Sequence, residues 1–225
     1  MNIIENNKDK INKILDALQY CNFDQLENND DIFFDQVFNI FKNHYEGNVD
    51  YAEGATKGVL IFKDLGFVIK IPYSMLDEYD ICGASDGVET WDYCSQEVNR
   101  YGMAEEEGLQ DVFLETSLLD NVNGYPIYIQ PYAQIFKNME ASDISEHSYA
   151  SSEEEKEETR SINEEYAFDD ITNIWESEVL ALYGKDYYIK LKSFISDVDI
   201  NDLRTANIGY YNNKPVLVDY AGFYE

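Results

Sequence analysis

Asp202-Leu-Arg-Thr-Ala-Asn207, followed by Lys214-Pro-Val-Leu-Val-Asp219-Tyr-Ala-Gly-Phe223, is the stretch on which the reading of this chain turns. An acid and an amide stand one loop apart in a D-x-x-x-x-N spacing. A second acid then ends a hydrophobic strand just before Gly222, a residue type that tolerates backbone conformations closed to others. Carboxylate and amide oxygens are hard donors of the kind magnesium prefers. The spacing therefore predicts a short hairpin with metal-capable side chains at its two ends.

Composition limits what such a site could serve. With 225 residues, 44% of them hydrophobic, the chain can bury a sizeable core as one large domain or two lobes. Its 19 Tyr and 12 Phe supply much of that core. The formal charge of -29, from 45 acidic and 16 basic residues, repels phosphate backbones and anionic lipid surfaces, which argues against direct nucleic-acid or membrane binding. The same charge serves solubility, or an acidic surface that occupies a basic site on a partner. Cys21, Cys82 and Cys94 are odd in number and lack metal-ligand spacing with His44 and His147, which predicts a reduced, cytoplasmic setting. The start, Met1-Asn-Ile-Ile-Glu-Asn-Asn, is too polar for a signal peptide, and runs such as Val59-Leu-Ile-Phe62 are too short to span a bilayer.

Working back towards the N-terminus, the periodicity changes several times. Ile11, Ile14, Leu15 and Leu18, then Phe34, Val37, Phe38 and Phe41 within residues 32–45, predict two amphipathic helices. Val59–Phe62, a turn at Lys63-Asp-Leu-Gly66, and Phe67–Ile71 predict a β-hairpin with Lys70 inside its second strand. Residues 91–107 read as a helix carrying Trp91, Cys94, Val98 and Tyr101 on one side. Strands over 114–119 and 125–129 flank Asn123-Gly124. The acidic, serine-rich stretch from Glu140 to Asp170 reads as a loop or disordered insert, after which Ile174, Trp175, Val179, Leu182 and Ile189 resume a helical spacing that Gly184 could break.

Phosphoryl transfer from a nucleotide requires a cation on the phosphates, oxygen ligands for magnesium, a carboxylate near the acceptor, and loop amides around the phosphate chain. Lys70 lies between Val, Ile and Ile, where an ammonium is costly unless an anion meets it. Glu97, on the next predicted helix, is its candidate partner. The order is lysine strand, glutamate helix, two strands, long helix, D-x-x-x-x-N, strand, Asp-x-x-Gly.

Through Val68-Ile-Lys70, Glu97, Asp202–Asn207 and Asp219–Gly222 the chain resembles the protein-kinase-like superfamily over residues 54–223. The resemblance implies an α+β fold with four parts. These are an N-terminal helical extension (1–48), a small antiparallel β lobe with one αC-like helix (49–133), the acidic insert (134–170), and a reduced helical C-lobe ending after the Asp-x-x-Gly motif (171–225). It further implies ATP and magnesium as cofactors. Lys70 would bind the α- and β-phosphates and Glu97 would hold it, while Asp202 would serve as the catalytic-loop acid and Asn207 and Asp219 as magnesium ligands. The phosphate loop would be Glu53-Gly-Ala-Thr-Lys-Gly58, with Gly54, Ala55, Thr56 and Gly58 near the phosphates. Adenine would meet the Gln130 carbonyl and the Tyr132 amide, with Ile129 at the back of the pocket. The chain departs from the family in three places: the loop lacks G-x-G-x-x-G, Ile200 and Asn201 stand where His and Arg are usual, and no activation segment or A-P-E motif follows. Three functions fit this pattern. One is a minimal phosphotransferase acting on a small molecule or protein segment. Another is an inactive, pseudokinase-like acidic interaction protein, phage-encoded or carried by another mobile element. The third is a nucleotidyl transferase.

Overall fold

The alternating run around Lys70 forms an antiparallel hairpin in the computed structural model, which describes residues 2–23, 26, 32–73, 92–136, 173–200 and 203–221. Strands β1 (Asp50–Glu53), β2 (Lys57–Phe62), β3 (Phe67–Pro72), β4 (Ser117–Val122) and β5 (Tyr125–Pro131) make one five-stranded sheet in the order β1-β2-β3-β5-β4. Every neighbouring pair is antiparallel. Between β2 and β3 a single turn over Lys63–Leu65 closes on Gly66, whose φ of 74° is open to glycine at little cost. Asn123 and Gly124 turn β4 into β5 with φ of 54° and 84°, the left-handed pair that matches strand twist. Strand β4 begins at Ser117 rather than 114. The amide of Leu114 instead donates to the Leu217 carbonyl at 2.9 Å, in the second of the two units described below.

The strand repeat of two residues gives the sheet two different faces. Register pairs Ile69 with Ile129 and Leu60 with Ile69, so these side chains share one face together with Phe62, Phe67, Ile71 and Ile127. Onto that apolar face fold α1 (Asn2–Asn6), α2 (Lys8–Leu18), and a π-helical turn over Phe34–Phe38 that runs into α3 (Asn39–His44). Ile11, Ile14, Leu18, Phe33, Val37 and Phe41 are buried there in one cluster with the strands. Each such side chain contributes about 1.5–3 kcal/mol when fully buried. The two N-terminal amphipathic stretches thus cover the sheet. The opposite face carries Lys70, Tyr128 and Gln130, and helix α4 (Tyr93–Glu106) supplies Glu97 to it.

The chain divides into two compact units, residues 1–98 with 115–132, and residues 99–114 with 133–225. In the second, α5 (Asn173–Tyr183) and α6 (Lys185–Asp197) are separated at Gly184, with φ of 86°, where the sequence predicts a break. A three-stranded sheet joins β6 (Gln134–Ile135), β7 (Ile208–Tyr211) and β8 (Lys214–Leu217) in that order. Trp175, Val179, Tyr188, Leu191, Ile195, Ile208, Leu217 and Tyr220 form its core. Together these elements make an α+β fold built on an antiparallel five-stranded sheet. Trp91, the Glu140–Asp170 stretch, Asp202 and Gly222 lie outside the described residues. Among the described residues, no helix is long and apolar enough to cross a membrane.

Candidate functional site

The structure brings Lys70 and Glu97 together. Their ammonium and carboxylate lie 2.6 Å apart, with side chains 3% and 0% exposed. Position on β3 fixes the lysine: its neighbours Ile69 and Ile71 point into the apolar core, so the period of two turns Lys70 to the other face. The glutamate is held by more than the lysine. Thr116 donates its hydroxyl to the same Glu97 oxygen at 2.7 Å, and the Gln130 side-chain amide donates to Thr116 at 2.9 Å. An ion pair this deeply buried needs such supplementary hydrogen bonds to offset the desolvation of both charges.

A second lysine reaches the same carboxylate. Lys57 Nζ lies 3.0 Å from Glu97 Oε1, the oxygen that Lys70 does not take, and its side chain is 5% exposed. Sequence reading placed Lys57 in a phosphate loop and gave it no role. The register could have found it: Val59 lies opposite Lys70, and Lys57, two residues earlier on β2, shares the face. Beside this cluster, Asp92 caps the N-terminus of α4 by accepting the amides of Cys94 at 2.7 Å and Ser95 at 2.9 Å. It also accepts the Tyr128 hydroxyl at 2.6 Å. Burial pushes the Asp92 carboxyl above its ordinary range against these hydrogen bonds, and burial pushes the Cys94 thiol well up.

Several expected contacts with nucleotide fall elsewhere. Gly54, Ala55 and Thr56 form the link between β1 and β2, tightened by the Gly54 amide donating to the Lys57 carbonyl at 3.0 Å. Gly58 is not part of that loop. It lies inside β2, where a Cβ would come within 2.2 Å of the Phe33 ring, so its smallness serves packing against the N-terminal helices. Ile129 is fully buried on the helix-covered face, opposite the one that carries Lys70, so it does not stand behind that lysine. Gln130 has that place, and its side chain feeds the Thr116–Glu97 chain. The Tyr132 amide, expected to face adenine, donates to the Gly66 carbonyl at 2.9 Å. Parity along a strand inverts when the reading is off by one residue, which is why the Gln130 side chain, and not that of Ile129, shares the face of Lys70.

In the second unit Asn207 and Asp219 are brought side by side. The Asn207 carbonyl accepts the amides of Val218 at 2.8 Å and Asp219 at 3.3 Å, while the Asn207 amide donates to Arg204 at 2.8 Å. Hairpin β7–β8 makes this possible: Asn212 and Asn213, with φ of 51° and 61°, reverse the chain and return residue 218 to residue 207. Arg100 braces both flanks of the segment. Its guanidinium donates to the Tyr220 carbonyl at 2.7 Å and to the Asp199 carbonyl at 3.3 Å. Nothing in the sequence singled out Arg100, because its partners are backbone carbonyls far away along the chain. An amide oxygen and a carboxylate suit magnesium, which keeps several waters and phosphate oxygens and needs few protein ligands. Among the described residues, no group of three or more His, Cys, Asp or Glu side chains is arranged to hold a metal.

The same unit buries two further acids. Glu176 pairs with Lys192 at 2.7 Å, and burial pulls the lysine down against the pull of that carboxylate. Glu178 accepts the Tyr210 hydroxyl, while its other oxygen is buried without a hydrogen-bond partner. Desolvation raises Glu178 to about 7, although the tyrosine's hydrogen bond works against the rise. No family model matches this chain, and neither a curated protein nor a solved structure matches it.

Proposed function

We propose that this chain is a kinase-like protein that binds ATP with magnesium and acts as a minimal phosphotransferase towards a small molecule or a protein segment. The observation that carries the reading is the buried Lys70–Glu97 pair at 2.6 Å, braced by Thr116 and Gln130. A lysine fixed in this way presents a stationary cation to phosphate oxygens. Positioning and charge stabilisation supply nearly all of phosphoryl-transfer catalysis.

The order of elements supports the same assignment: the Lys70 strand, the Glu97 helix, the β4–β5 pair, two helices, then the Asn207–Asp219 hairpin. Asn207 and Asp219 would hold magnesium, which bridges phosphate oxygens and neutralises their charge. Asp202 would take the proton of the acceptor hydroxyl as the γ-phosphoryl group passes to its oxygen and ADP leaves. A reducing cytoplasm suits the buried thiols of Cys21 and Cys94.

The test is a thermal-shift titration with ATP and magnesium. Wild type is expected to be stabilised by ATP by about 2.7 kcal/mol at a hundredfold excess over Kd, read as a rise in melting temperature. Asp219→Ala should lose that gain, and Asp202→Ala should keep it while losing product formation. Unchanged ATP affinity in Asp219→Ala would sink the proposal. Absence of any ATP-dependent shift in wild type, together with salt-sensitive capture of a basic partner indifferent to Lys70→Met, would replace it with the acidic interaction role that the charge of -29 suggests.

A further inference from the structure

The first unit carries an open hollow of about 700 Å³ between α2, the link from α3 to β1, and the turn from β2 to β3. That volume lies within the range of small-molecule clefts, roughly 300–1,000 Å³. Along α2 the i, i+3, i+7 spacing sets Lys10, Lys13 and Ala17 on one stripe. Tyr20, whose amide donates to the Ala17 carbonyl at 3.3 Å, continues the stripe just past the helix end. Ala17 is buried, and its short side chain leaves room between Lys13 and Tyr20. In the opposite wall the Tyr45 ring lies against Gly47, where a Cβ would come within 2.4 Å of that ring. Asn48 donates to Asp64 at 3.0 Å and so ties the link to the turn.

The two ends of the stripe differ in chemistry. At one end Tyr20 stacks on His44, with ring centroids 3.9 Å apart and planes 6° from parallel, and Tyr20 is 62% exposed. An exposed, flat ring pair is a platform to which a further ring can add. At the other end Lys10 and Lys13 are exposed one turn apart, and among the described residues neither meets a carboxylate at ion-pair distance. Two such ammonium groups can share the oxygens of one phosphate. Seven residues of helical rise separate Lys13 from Tyr20, about 10 Å. Asp16 stands between the two ends, and Glu46 follows His44 by two residues. Carboxylates in those places can accept N–H groups from the edge of a ring. We propose that this hollow binds a heteroaromatic ring with N–H donors joined to a phosphate about 10 Å away, the ring on Tyr20 and His44 and the phosphate on Lys10 and Lys13. None of Lys57, Lys70 and Glu97 lines it, so the site does not depend on the nucleotide reading above.

Flavin mononucleotide has this form, and its fluorescence falls when its ring stacks on tyrosine, so titrating the full chain with it and with riboflavin tests the site. The mononucleotide is expected to bind about tenfold more tightly than riboflavin, which lacks the phosphate. Lys10→Gln combined with Lys13→Gln should erase that difference and leave riboflavin unchanged. Lys8→Gln combined with Lys42→Gln removes the same charge outside the hollow and should preserve it. Tyr20→Ala should weaken both flavins about tenfold, whereas Tyr20→Phe should bind both as wild type does. All of these side chains are exposed, and melting temperatures report that each variant folds. Stabilisation by ATP, measured on the same variants, is expected to be unchanged, which separates this site from the one proposed around Lys70. Equal affinity of wild type for the two flavins, or equal losses from the two lysine pairs, overturns the phosphate site. Binding that survives Tyr20→Ala undiminished overturns the ring platform, and failure of wild type to bind flavin mononucleotide overturns the whole proposal.

Discussion

Glu97 is the residue on which most of the first unit's polar chemistry depends. Removing its charge takes from the buried Lys57 and Lys70 the carboxylate that both of them meet. Glu97→Ala is therefore expected to cost roughly 3–5 kcal/mol in chemical denaturation, the range for breaking one side of a buried pair. Lys70→Met, which keeps the volume and leaves Lys57 on the carboxylate, should cost clearly less. Gly58 and Gly54 give a sharper contrast. A Cβ on Gly58 meets the Phe33 ring at 2.2 Å, while one on Gly54 comes no closer than 3.6 Å to anything. Gly58→Ala should thus destabilise by roughly 1–3 kcal/mol, and Gly54→Ala by less than about 1 kcal/mol. Equal losses in the two variants would contradict a packing role for Gly58. Lys70, Glu97, Asn207 and Asp219 were legible as candidates because their residue types are costly or unusual where they stand. Lys57, Thr116 and Arg100 were not, because each acts through a contact that only register or the tertiary chain path creates.

Helices and strands carry their own consequences. In α5 the Glu178 carboxyl, lifted by burial to about 7, stays protonated in the folded state at pH values where the unfolded chain, near 4.5, has already released the proton. Folding then takes up a proton, so this group's stabilisation is full below about pH 4.5 and is lost as pH rises towards and through 7. Melting temperature should fall between pH 5 and pH 8, and Glu178→Gln should flatten that slope while raising stability at pH 8. A slope unchanged in the variant would show that other groups govern it. Arg100 in α4 acts on longer stretches. Its loss removes one donor from each of the Tyr220 and Asp199 carbonyls at the two ends of the segment that holds Asn207 and Asp219. Arg100→Met should cost roughly 1–3 kcal/mol and speed amide exchange at residues 203–220. The β2–β3 hairpin, α4 and the break at Gly184 were readable from local pattern, since periodicity and a glycine at positive φ are properties of short segments. The start of β4 was not, because Leu114 takes its backbone partner from a strand about a hundred residues away.

For the molecule as a whole, the charge of -29 sets the background against which every local interaction works. Self-repulsion of this size weakens the compact state, and salt screens it over a Debye length of about 10 Å at 0.1 M. Raising sodium chloride from low to moderate concentration should therefore increase the melting temperature; a fall would mean that surface ion pairs such as Lys63–Asp50 outweigh the net repulsion. The N-terminal helices belong to the same account of the whole. Their apolar stripes are plain in the sequence, yet only the folded chain shows them covering one sheet face with Phe33 against Gly58, which leaves the other face to Lys57, Lys70 and Gln130. By itself the sequence determined the β2–β3 hairpin, α4, the amphipathic stretches and the turns at Gly66 and Asn123-Gly124, and it supplied the residue types proposed to meet phosphate and magnesium, because propensity, periodicity and side-chain chemistry act over a few neighbouring positions. Tertiary structure alone decided which face each strand residue took, that one glutamate would serve two lysines, and that an arginine would brace the Asn207–Asp219 segment. Those outcomes depend on register and on contacts between residues far apart in the chain, where a shift of a single position reverses the answer.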